Sequence, residues 1–307
     1  MKEKKMLIDI VNYNNYRNTI RCIKSLKNII DEKELIDFVV VDNNSSNNSV
    51  ECLEKEFKND VNVFLVQSKT NDGYSKGNNL GIQYCSKHNN YKYISIVNPD
   101  TYFDQNVFEK ILPILENDDE LSMASCSVIM NGKWDIYKQS WRIPSVSEFV
   151  LNRSLLSKKT TAPLVYKCYK GNIVQTEVIP GSFFVIKYDD FRQVGFFDEN
   201  MFMYNEEIVL GKKLKSLGKK AVVDLGSYYY HNHKSISKSE AWYNYRYNFN
   251  KALHDYDISY KTREYVCKTY YDSKGLIALK LVNLGNYFML YTKHLVSYFK
   301  SLSYEKK

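Results

Sequence analysis

Prolines and glycines are scarce in this 307-residue chain, numbering 5 and 12, and none of the six cysteines form a C-x-x-C pair. This low content of turn-forming residues argues against a disordered or fibrous protein. The even spread of the cysteines argues against a zinc module or a disulfide framework and favours buried, reduced thiols in the cytoplasm. No apolar run approaches the roughly 20 residues of a membrane-spanning helix. We therefore expect a soluble or peripheral protein.

The excess of positive charge lies in the C-terminal quarter. From Lys234 onward there are 13 Lys and Arg against 6 Asp and Glu, whereas the preceding residues contain 30 against 29. A basic segment of this kind is typical of contact with an acidic surface.

Short apolar strands alternate with helical segments over the first 130 residues. Strands are predicted in "MLIDIVNY", "DFVVVDNNSS", "VNVFLVQ" and "YKYISIVNPD". Asp9 interrupts the first apolar run, so we expect a strand there and not a signal peptide. Strands separated by helices indicate βαβ units and a parallel sheet. Residues 131–176 are expected to extend the sheet and to form loops over a site, and the chain after about residue 234 is expected to be helical.

Polar clusters follow three of these strands: Asn12-Tyr13-Asn14, Asp42-Asn43-Asn44 and Asn98-Pro99-Asp100. Ligands of parallel sheets bind outside the carboxyl ends of the strands, so the three clusters together predict a binding site. Asp42 is suited to accept hydrogen bonds from a nucleobase or a ribose. The alternative for Asp42 is an Asx-turn or a helix cap.

The segment "NDGYSKGNNLGI" opens a predicted helix with Gly73, Gly77 and Gly81. It matches neither the dinucleotide fingerprint nor a phosphate-binding P-loop. Unpaired amides at a helix start still favour phosphate. A tight turn with close helix packing is the alternative.

Three further segments carry chemistry. Asp100 offers one hard oxygen ligand, which with phosphates and waters is adequate for Mg²⁺ or Mn²⁺. His231 and His233 lie on one face of a strand end and are suited to complete a metal shell. Glu206 and Glu207 begin a helix, where one of them is placed to act as a general base. The alternatives are a turn aspartate, hydrogen-bonded histidines and a solvated helix turn.

Taken in chain order, six segments within residues 6–237 resemble the family 2 glycosyltransferases, especially a bacterial rhamnosyltransferase-like branch. They are "VNYN", "VVDNNS", "NDGYSKGNNLG", "NPDT", "GSFFVIKYDDFRQVGFFDENMFMYNEE" and "HNHKS". The resemblance implies the GT-A fold, a mixed, mostly parallel sheet flanked by helices, over residues 1–237. Its nucleotide-sugar-binding half is expected up to about residue 130 and its acceptor half over 131–237. Residues 238–307 are expected to form a basic helical extension.

The resemblance also implies roles for individual residues. Asp42 is expected to contact the nucleoside and Asp100 to hold Mn²⁺ or Mg²⁺ against a diphosphate, with His231 or His233 completing the shell. Glu207 is the first choice for the catalytic base and Glu206 the second. The residues expected to line the nucleotide-sugar site are Asn12, Tyr13, Asn14, Asp42, Asn44, Asn71, Gly73, Lys76, Asn79, Asn98, Asp100 and Gly181.

The implied activity is inverting transfer of a sugar, rhamnose among the candidates, from a UDP- or dTDP-linked donor. The implied acceptor is a saccharide or lipid-linked saccharide in bacterial capsule, O-antigen or cell-wall synthesis. The acidic motif of the family is Glu-Asp-x-Asp-Leu, whereas this chain has Glu207 and Val209 at the two Asp positions. A catalytically impaired homologue that binds sugar nucleotide or a partner transferase is therefore the alternative.

An apolar stripe at alternating steps of four and three runs through the C-terminal segment: Ile277, Leu281, Leu284, Phe288, Tyr291, Leu295, Tyr298 and Leu302. This spacing favours packing on the catalytic domain or on a second copy in a homodimer. With its lysines, it equally favours peripheral contact with the inner face of the plasma membrane. No motif accompanies the charge that would indicate nucleic acid.

Overall fold

The computed structural model describes residues 2–31, 35–152, 167–232 and 245–304. These residues form two compact units. The first contains residues 2–143, 167–202 and 206–232, and the second contains 144–152, 203–205 and 245–304. The predicted metal ligand His233 lies outside the described residues.

The first unit is built on a single sheet flanked by helices. Its strands are β1 (Lys2–Asn12), β2 (Ile36–Asp42), β3 (Val63–Gln67), β4 (Asn89–Val97), β5 (Thr101–Tyr102), β6 (Leu121–Met130), β7 (Lys133–Trp134), β8 (Lys167–Lys170), β9 (Ile173–Thr176), β10 (Phe183–Lys187) and β11 (Lys220–His231). The helices among the described residues are α1 (Tyr16–Ile29), α2 (Ser49–Phe57), α3 (Gly73–Ser86), α4 (Phe108–Glu116), α5 (Val146–Leu151), α6 (Tyr188–Gln193), α7 (Glu206–Ser216), α8 (Tyr245–Tyr270) and α9 (Ser273–Tyr304), with a short 3₁₀ turn at Ile136–Lys138. The predicted alternation of strands and helices is thus confirmed.

The strands are ordered β3-β2-β1-β4-β10-β6-β11-β9-β8, with β5 paired to β11 and β7 to β6. Neighbours among β3, β2, β1 and β4 are parallel, and so are β6 and β11. Strand β10 runs antiparallel to both β4 and β6. The carboxyl ends of β1, β2, β4 and β11 and the amino end of β10 consequently meet at one edge of the sheet, called here the carboxyl edge.

Apolar side chains cover both faces of this sheet. On one face, Ile23 of α1 and Ile111 of α4 pack with Ile8 and Val40. On the other, Ile82 of α3 and Leu210 of α7 belong to the second apolar cluster, with Leu7 and Val39. Strands buried on both faces are near-continuously apolar, which is why "DFVVV" has no alternation. The six cysteines are all free, but contrary to the expectation of buried thiols Cys168 is exposed and Cys52 is half-buried.

The second unit contains α5, α8 and α9. The Arg263 guanidinium on α8 donates hydrogen bonds to the carbonyls of Phe149 and Val150 at 2.7 and 3.0 Å, and so closes the carboxyl end of α5. The Tyr271 hydroxyl donates to the carbonyl of Pro144 at 2.8 Å. Within the described part of the chain, none of the helices has the length and apolar character needed to cross a membrane.

Candidate active site

The Asp42 carboxylate, at the carboxyl end of β2, is buried in a hydrogen-bonded cluster. Oδ2 accepts from the Asn12 amide group at 2.7 Å and from the Ser45 hydroxyl at 2.7 Å. Oδ1 accepts from the Ser45 main-chain amide at 2.8 Å, and the Thr19 hydroxyl holds the Asn12 Oδ1 at 2.8 Å. Asp42 therefore holds the loop that follows β2, through a main-chain amide three residues on and not the amide two residues on of an Asx-turn. An ionised carboxylate has about four acceptor positions, so these three donors are compatible with one further contact.

The loops after β1 and β2 are joined through Asn14. Asn14 and Asn44 adopt left-handed backbone conformations, with φ of 54° and 61°, which asparagine tolerates better than most residues. The Asn14 Oδ1 accepts from the main-chain amides of Ser46 and Asn47 at 2.9 and 3.3 Å. The side chains of Tyr13, Asn14 and Asn44 are exposed, so the Tyr13 ring is accessible to a ligand at the carboxyl edge.

The start of α3 lies close to another loop of the first unit. Gly73 has φ +89°, and a Cβ atom there would be 1.9 Å from the carbonyl oxygen of Phe202, so only glycine fits. The Tyr74 amide donates to that same carbonyl at 2.9 Å. The Asn43 amide group donates to Asn71 Oδ1 and to the Gly73 carbonyl at 2.9 and 3.0 Å. The close approach of the Phe202 carbonyl thus explains the glycine at position 73. The hydrogen bond from Asn43 gives Asn71 a structural role in the turn before α3.

Asn79, one turn and a half into α3, is almost fully buried. Its amide group donates to the Phe197 carbonyl at 3.0 Å and to Glu199 Oε1 at 2.9 Å, and its Oδ1 accepts from the Phe197 amide at 3.1 Å. These contacts give Asn79 a role in holding the loop after α6. Lys76, in contrast, is exposed on the same helix.

Asp100 and His231 lie side by side at the carboxyl edge. The Asp100 Oδ1 and His231 Nε2 atoms are 3.0 Å apart, within hydrogen-bond distance. Strand β11 brings them together, because the main-chain amide of Asn232 donates to the Asp100 carbonyl at 3.2 Å. The main-chain amide of Asn98, two residues before Asp100, donates to the Ser182 carbonyl at 2.8 Å. Strand β4 therefore ends on a carboxylate that faces a histidine from a distant part of the sequence.

The Asp100–His231 pair offers two ligand types that divalent cations accept. A carboxylate oxygen and an imidazole nitrogen are both ligand types for Mn²⁺, and Mg²⁺ commonly takes one or two protein carboxylates beside substrate phosphates. The described residues contain no group of three or more His, Cys, Asp or Glu placed to hold a metal. A cation at this pair would therefore depend on the phosphate oxygens of a ligand.

The first turn of α7 places two glutamates differently. Glu206 is buried, whereas Glu207 is half-buried and its Oε1 accepts from the Gly181 amide at 3.2 Å. The Gly181 carbonyl accepts from the Tyr74 hydroxyl at 2.7 Å. A Cβ atom at Gly181 would lie 3.0 Å from Glu207 Oε1, so glycine permits this approach. Burial raises the pKa of the Glu207 carboxyl, and its hydrogen bonds to main-chain amides partly oppose the shift.

Val209 occupies the position where the family pattern has its second Asp. Its side chain is buried beside Leu210 in α7. A carboxylate at this position would be costly without partners. The apolar residue is therefore compatible with the packing of this helix.

Sequence reasoning missed Tyr74 and Ser45. Tyr74 is an aromatic residue directly after the glycine that begins α3, and its ring packs edge-on against Phe197 with centroids 5.6 Å apart. The signal for Ser45 is its place in the run Asp42-Asn43-Asn44-Ser45, since Asp, Asn and Ser side chains bond to nearby main-chain groups in turns. Both signals are local, but the partner of the Tyr74 hydroxyl is 107 residues away.

The chain has the GT-A fold of the nucleotide-sugar transferases, a mixed sheet flanked by helices, here with the antiparallel β10 between β4 and β6. Solved structures of glycosyltransferases superpose on this fold. The crystal structure of GalNAc-T7 with UDP, GalNAc and Mn²⁺ superposes with a TM-score of 0.60 at 13% identity, covering 81% of this chain and 51% of that one. The mannosyltransferase PcManGT from Pyrobaculum calidifontis, in complex with GDP-Man and Mn²⁺, gives a TM-score of 0.54 at 12% identity, covering 99% and 76%.

The chain belongs to glycosyl transferase family 2, whose family model matches residues 8–194. It is 26% identical over 201 residues to the low-salt glycan biosynthesis hexosyltransferase Agl10 of Haloferax volcanii, covering 66% of this chain and 58% of that protein. It is also 30% identical over 113 residues to an uncharacterised protein of Methanocaldococcus jannaschii, covering 36% and 47%. The chain thus spans about half the length of these curated relatives.

Proposed function

We propose that this protein is an inverting glycosyltransferase that moves a hexose from a nucleoside-diphosphate sugar to a saccharide or lipid-linked saccharide. The observation that carries the proposal is the Glu207 carboxylate, held by the Gly181 amide at the carboxyl edge where Asp100 and His231 also meet. The similarity to a hexosyltransferase and to structures with bound UDP or GDP-Man supports the donor class.

In this proposal Glu207 takes the proton of an acceptor hydroxyl as general base. The hydroxyl oxygen then forms a bond to the anomeric carbon of the donor, on the face opposite the diphosphate. The bond between that carbon and the diphosphate oxygen breaks, so the configuration inverts and the nucleoside diphosphate leaves with the electron pair. Asp100 and His231 would hold Mn²⁺ or Mg²⁺, which supplies neutralisation of the charge on the diphosphate.

The nucleoside is assigned to the loops after β1 and β2. Asp42 has an acceptor position beyond its three protein donors, and the exposed Tyr13 ring is suited to pack on a base. The neighbouring Asn14 and Asn44 are exposed and add polar groups. Lys76, also exposed, offers a positive charge for phosphate.

Narrower identities stay predictions. They are rhamnose as the sugar, UDP or dTDP as the nucleotide, membership of the bacterial rhamnosyltransferase-like branch, and a role in capsule, O-antigen or cell-wall synthesis. A lipid-linked acceptor would place the protein at the inner face of the plasma membrane. The assignment of residues 1–237 to the catalytic domain and of residues 238–307 to the extension also stays a prediction.

A second candidate is a catalytically impaired homologue that binds sugar nucleotide or a partner transferase. The observation that favours it is Val209, an apolar and buried residue where the family pattern has an acid. With this reading, donor binding survives but hydroxyl activation is lost.

Incubation of the purified chain with Mn²⁺, an acceptor extract and a panel of UDP-, dTDP- and GDP-sugars tests both candidates. If the chain is an active transferase, the reaction should release a nucleoside diphosphate and form a product heavier by one sugar. EDTA should abolish both the release and the product. Donor binding without release under any combination would support the impaired homologue.

Paired variants test the base. We expect Glu207→Gln to lower kcat by at least about 100-fold, the range of general-base contributions, while the dissociation constant of the donor stays unchanged. Glu206→Gln is the matched control on the same helix turn. Full activity of Glu207→Gln would remove Glu207 from the mechanism.

A further inference from the structure

Helix α9 exposes a continuous apolar stripe. Seven side chains at alternating steps of four and three, here called the outer stripe, are between 46% and 73% exposed: Ile277, Leu281, Leu284, Phe288, Tyr291, Leu295 and Tyr298. At about 1.5 Å per residue the outer stripe is about 32 Å long. Contiguous exposed apolar surface on this scale marks an interaction site.

The opposite face of α9 packs on α8 and is partly polar. Leu279, Asn283 and Asn286 are buried there, and the Tyr256 hydroxyl of α8 donates to Asn283 Oδ1 at 2.5 Å. The ring of Phe249 stacks on His294 with centroids 3.5 Å apart. An ordinary amphipathic helix turns its apolar stripe inward, whereas α9 turns asparagines inward and its larger apolar side chains outward. The outer stripe is therefore directed at something outside the helix pair.

The charge of α9 decides between a second copy of the chain and a membrane. Its 32 residues include Lys274, Lys280, Lys293 and Lys300 but no Asp or Glu. Lys274 and Lys280 border the outer stripe, and Lys280 also lies 3.4 Å from Glu264 of α8, whereas Lys293 is on the opposite side of the helix. Two copies pairing through their outer stripes would have no carboxylate on either helix to oppose these lysines, although opposite charges beside the seam normally fix such pairs. An anionic bilayer supplies both an apolar layer and negative headgroups. Charge complementarity thus favours the bilayer.

We propose that the outer stripe of α9 lies in the headgroup region of an anionic membrane, with α9 parallel to the surface and Lys274 and Lys280, which border the outer stripe, near lipid phosphates. Since no described helix has the length and apolar character to cross a bilayer, the contact is peripheral. It requires no glycosyl transfer, so its failure and the failure of the proposed activity are separate results.

Flotation of the full chain with vesicles tests the contact. We expect it to bind vesicles of phosphatidylcholine mixed with phosphatidylglycerol, and to bind pure phosphatidylcholine much less. The double variant Leu284→Gln/Phe288→Gln should weaken binding by about tenfold or more, because it removes two apolar side chains of the size that drives burial. Val61→Gln is the matched control, since Val61 is 89% exposed and outside the outer stripe.

A second pair of substitutions tests the electrostatic half of the proposal. Lys274→Gln should weaken binding to the anionic vesicles by about fivefold at low salt, with little change on neutral vesicles, whereas Lys293→Gln, on the side of α9 opposite the outer stripe, should change neither. Circular dichroism should show unchanged helix content in every variant, because the substituted side chains are exposed.

Two results would overturn the proposal. One is no flotation with anionic vesicles at low salt. The other is a concentration-dependent dimer, seen by light scattering, that Leu284→Gln/Phe288→Gln dissociates while vesicle binding is equal for that variant and for Val61→Gln. The second result would assign the outer stripe to a second copy of the chain.

Discussion

The main-chain amide of Gly181 donates a hydrogen bond to Oε1 of Glu207 at 3.2 Å. This contact joins the residues before β10 to the first turn of α7, and it holds the half-buried carboxylate at the carboxyl edge. Because β10 runs antiparallel to β4, the segment before β10 reaches the same edge as Asn98 and Asp100. The sheet direction at β10 thus accounts for the proximity of the proposed base to the donor loops.

The rate of sugar transfer should fall at low pH along an acidic limb that is set by the ionisation of Glu207. Burial raises the pKa of this carboxyl, and only the ionised form accepts a proton. The rate at low pH should therefore fall at a higher pH than an ordinary glutamate, with its pKa of about 4.3, would produce. The measurement is kcat/KM against pH, with Glu206→Gln expected to retain the limb. A profile flat down to the ordinary glutamate range would contradict the assignment.

Tyr74 should position Glu207 through Gly181. Its hydroxyl donates to the Gly181 carbonyl at 2.7 Å, and loss of one such bond costs about 0.5–1.5 kcal/mol. We expect Tyr74→Phe to lower kcat by about three- to tenfold with donor KM nearly unchanged, and to move the acidic limb. Tyr137→Phe, at an exposed tyrosine, is the control. A change confined to thermal stability would show that the hydroxyl only supports the fold.

Metal affinity should depend on Asp100 and His231, whose side-chain atoms are 3.0 Å apart. Asp100→Asn and His231→Ala should each raise the dissociation constant of Mn²⁺, measured by calorimetry in the presence of UDP, by at least about tenfold. Asp119→Asn, at an exposed carboxylate, should leave it unchanged. Equal affinity in Asp100→Asn and the unsubstituted protein would exclude Asp100 as a ligand.

Asp9 should make folding stability depend on pH. Its carboxylate is fully buried in β1, neither oxygen has a hydrogen-bond partner among the described residues, and burial raises its pKa well above the usual value. Between the unfolded and folded pKa values the native chain holds a proton that the unfolded chain has lost. Stability from this group is therefore complete below the unfolded pKa and falls by about 1.4 kcal/mol per pH unit through that interval.

Asp9→Asn removes the titration and keeps the shape. Urea unfolding at several pH values should give a shallower decline for Asp9→Asn than for the unsubstituted protein, while Asp119→Asn follows the unsubstituted protein. Identical pH slopes in all three would mean that Asp9 is ionised in the native state.

Much of the carboxyl edge was predictable because it depends on local pattern. The apolar runs of β1, β2 and β4 identify the strands, and parallel strands bring Asn12, Asp42 and Asp100 to the same edge. The glycine that opens α3 was also predictable from the sequence. Its contact with the Phe202 carbonyl, which requires glycine there, was not predictable, because it joins segments that are distant in the chain.

The sequence by itself determined the family, the alternation of strands and helices, and the chemical types available at the strand ends. The tertiary structure decided which of these groups meet. Asp100 and His231 are separated by 131 positions, and β11 places them side by side only because β5 pairs with it. The heptad spacing of α9 was likewise visible in the sequence, but packing on α8 decided that its outer stripe is exposed. Local periodicity fixes the faces of an element, whereas only the pairing of distant segments decides which face is covered.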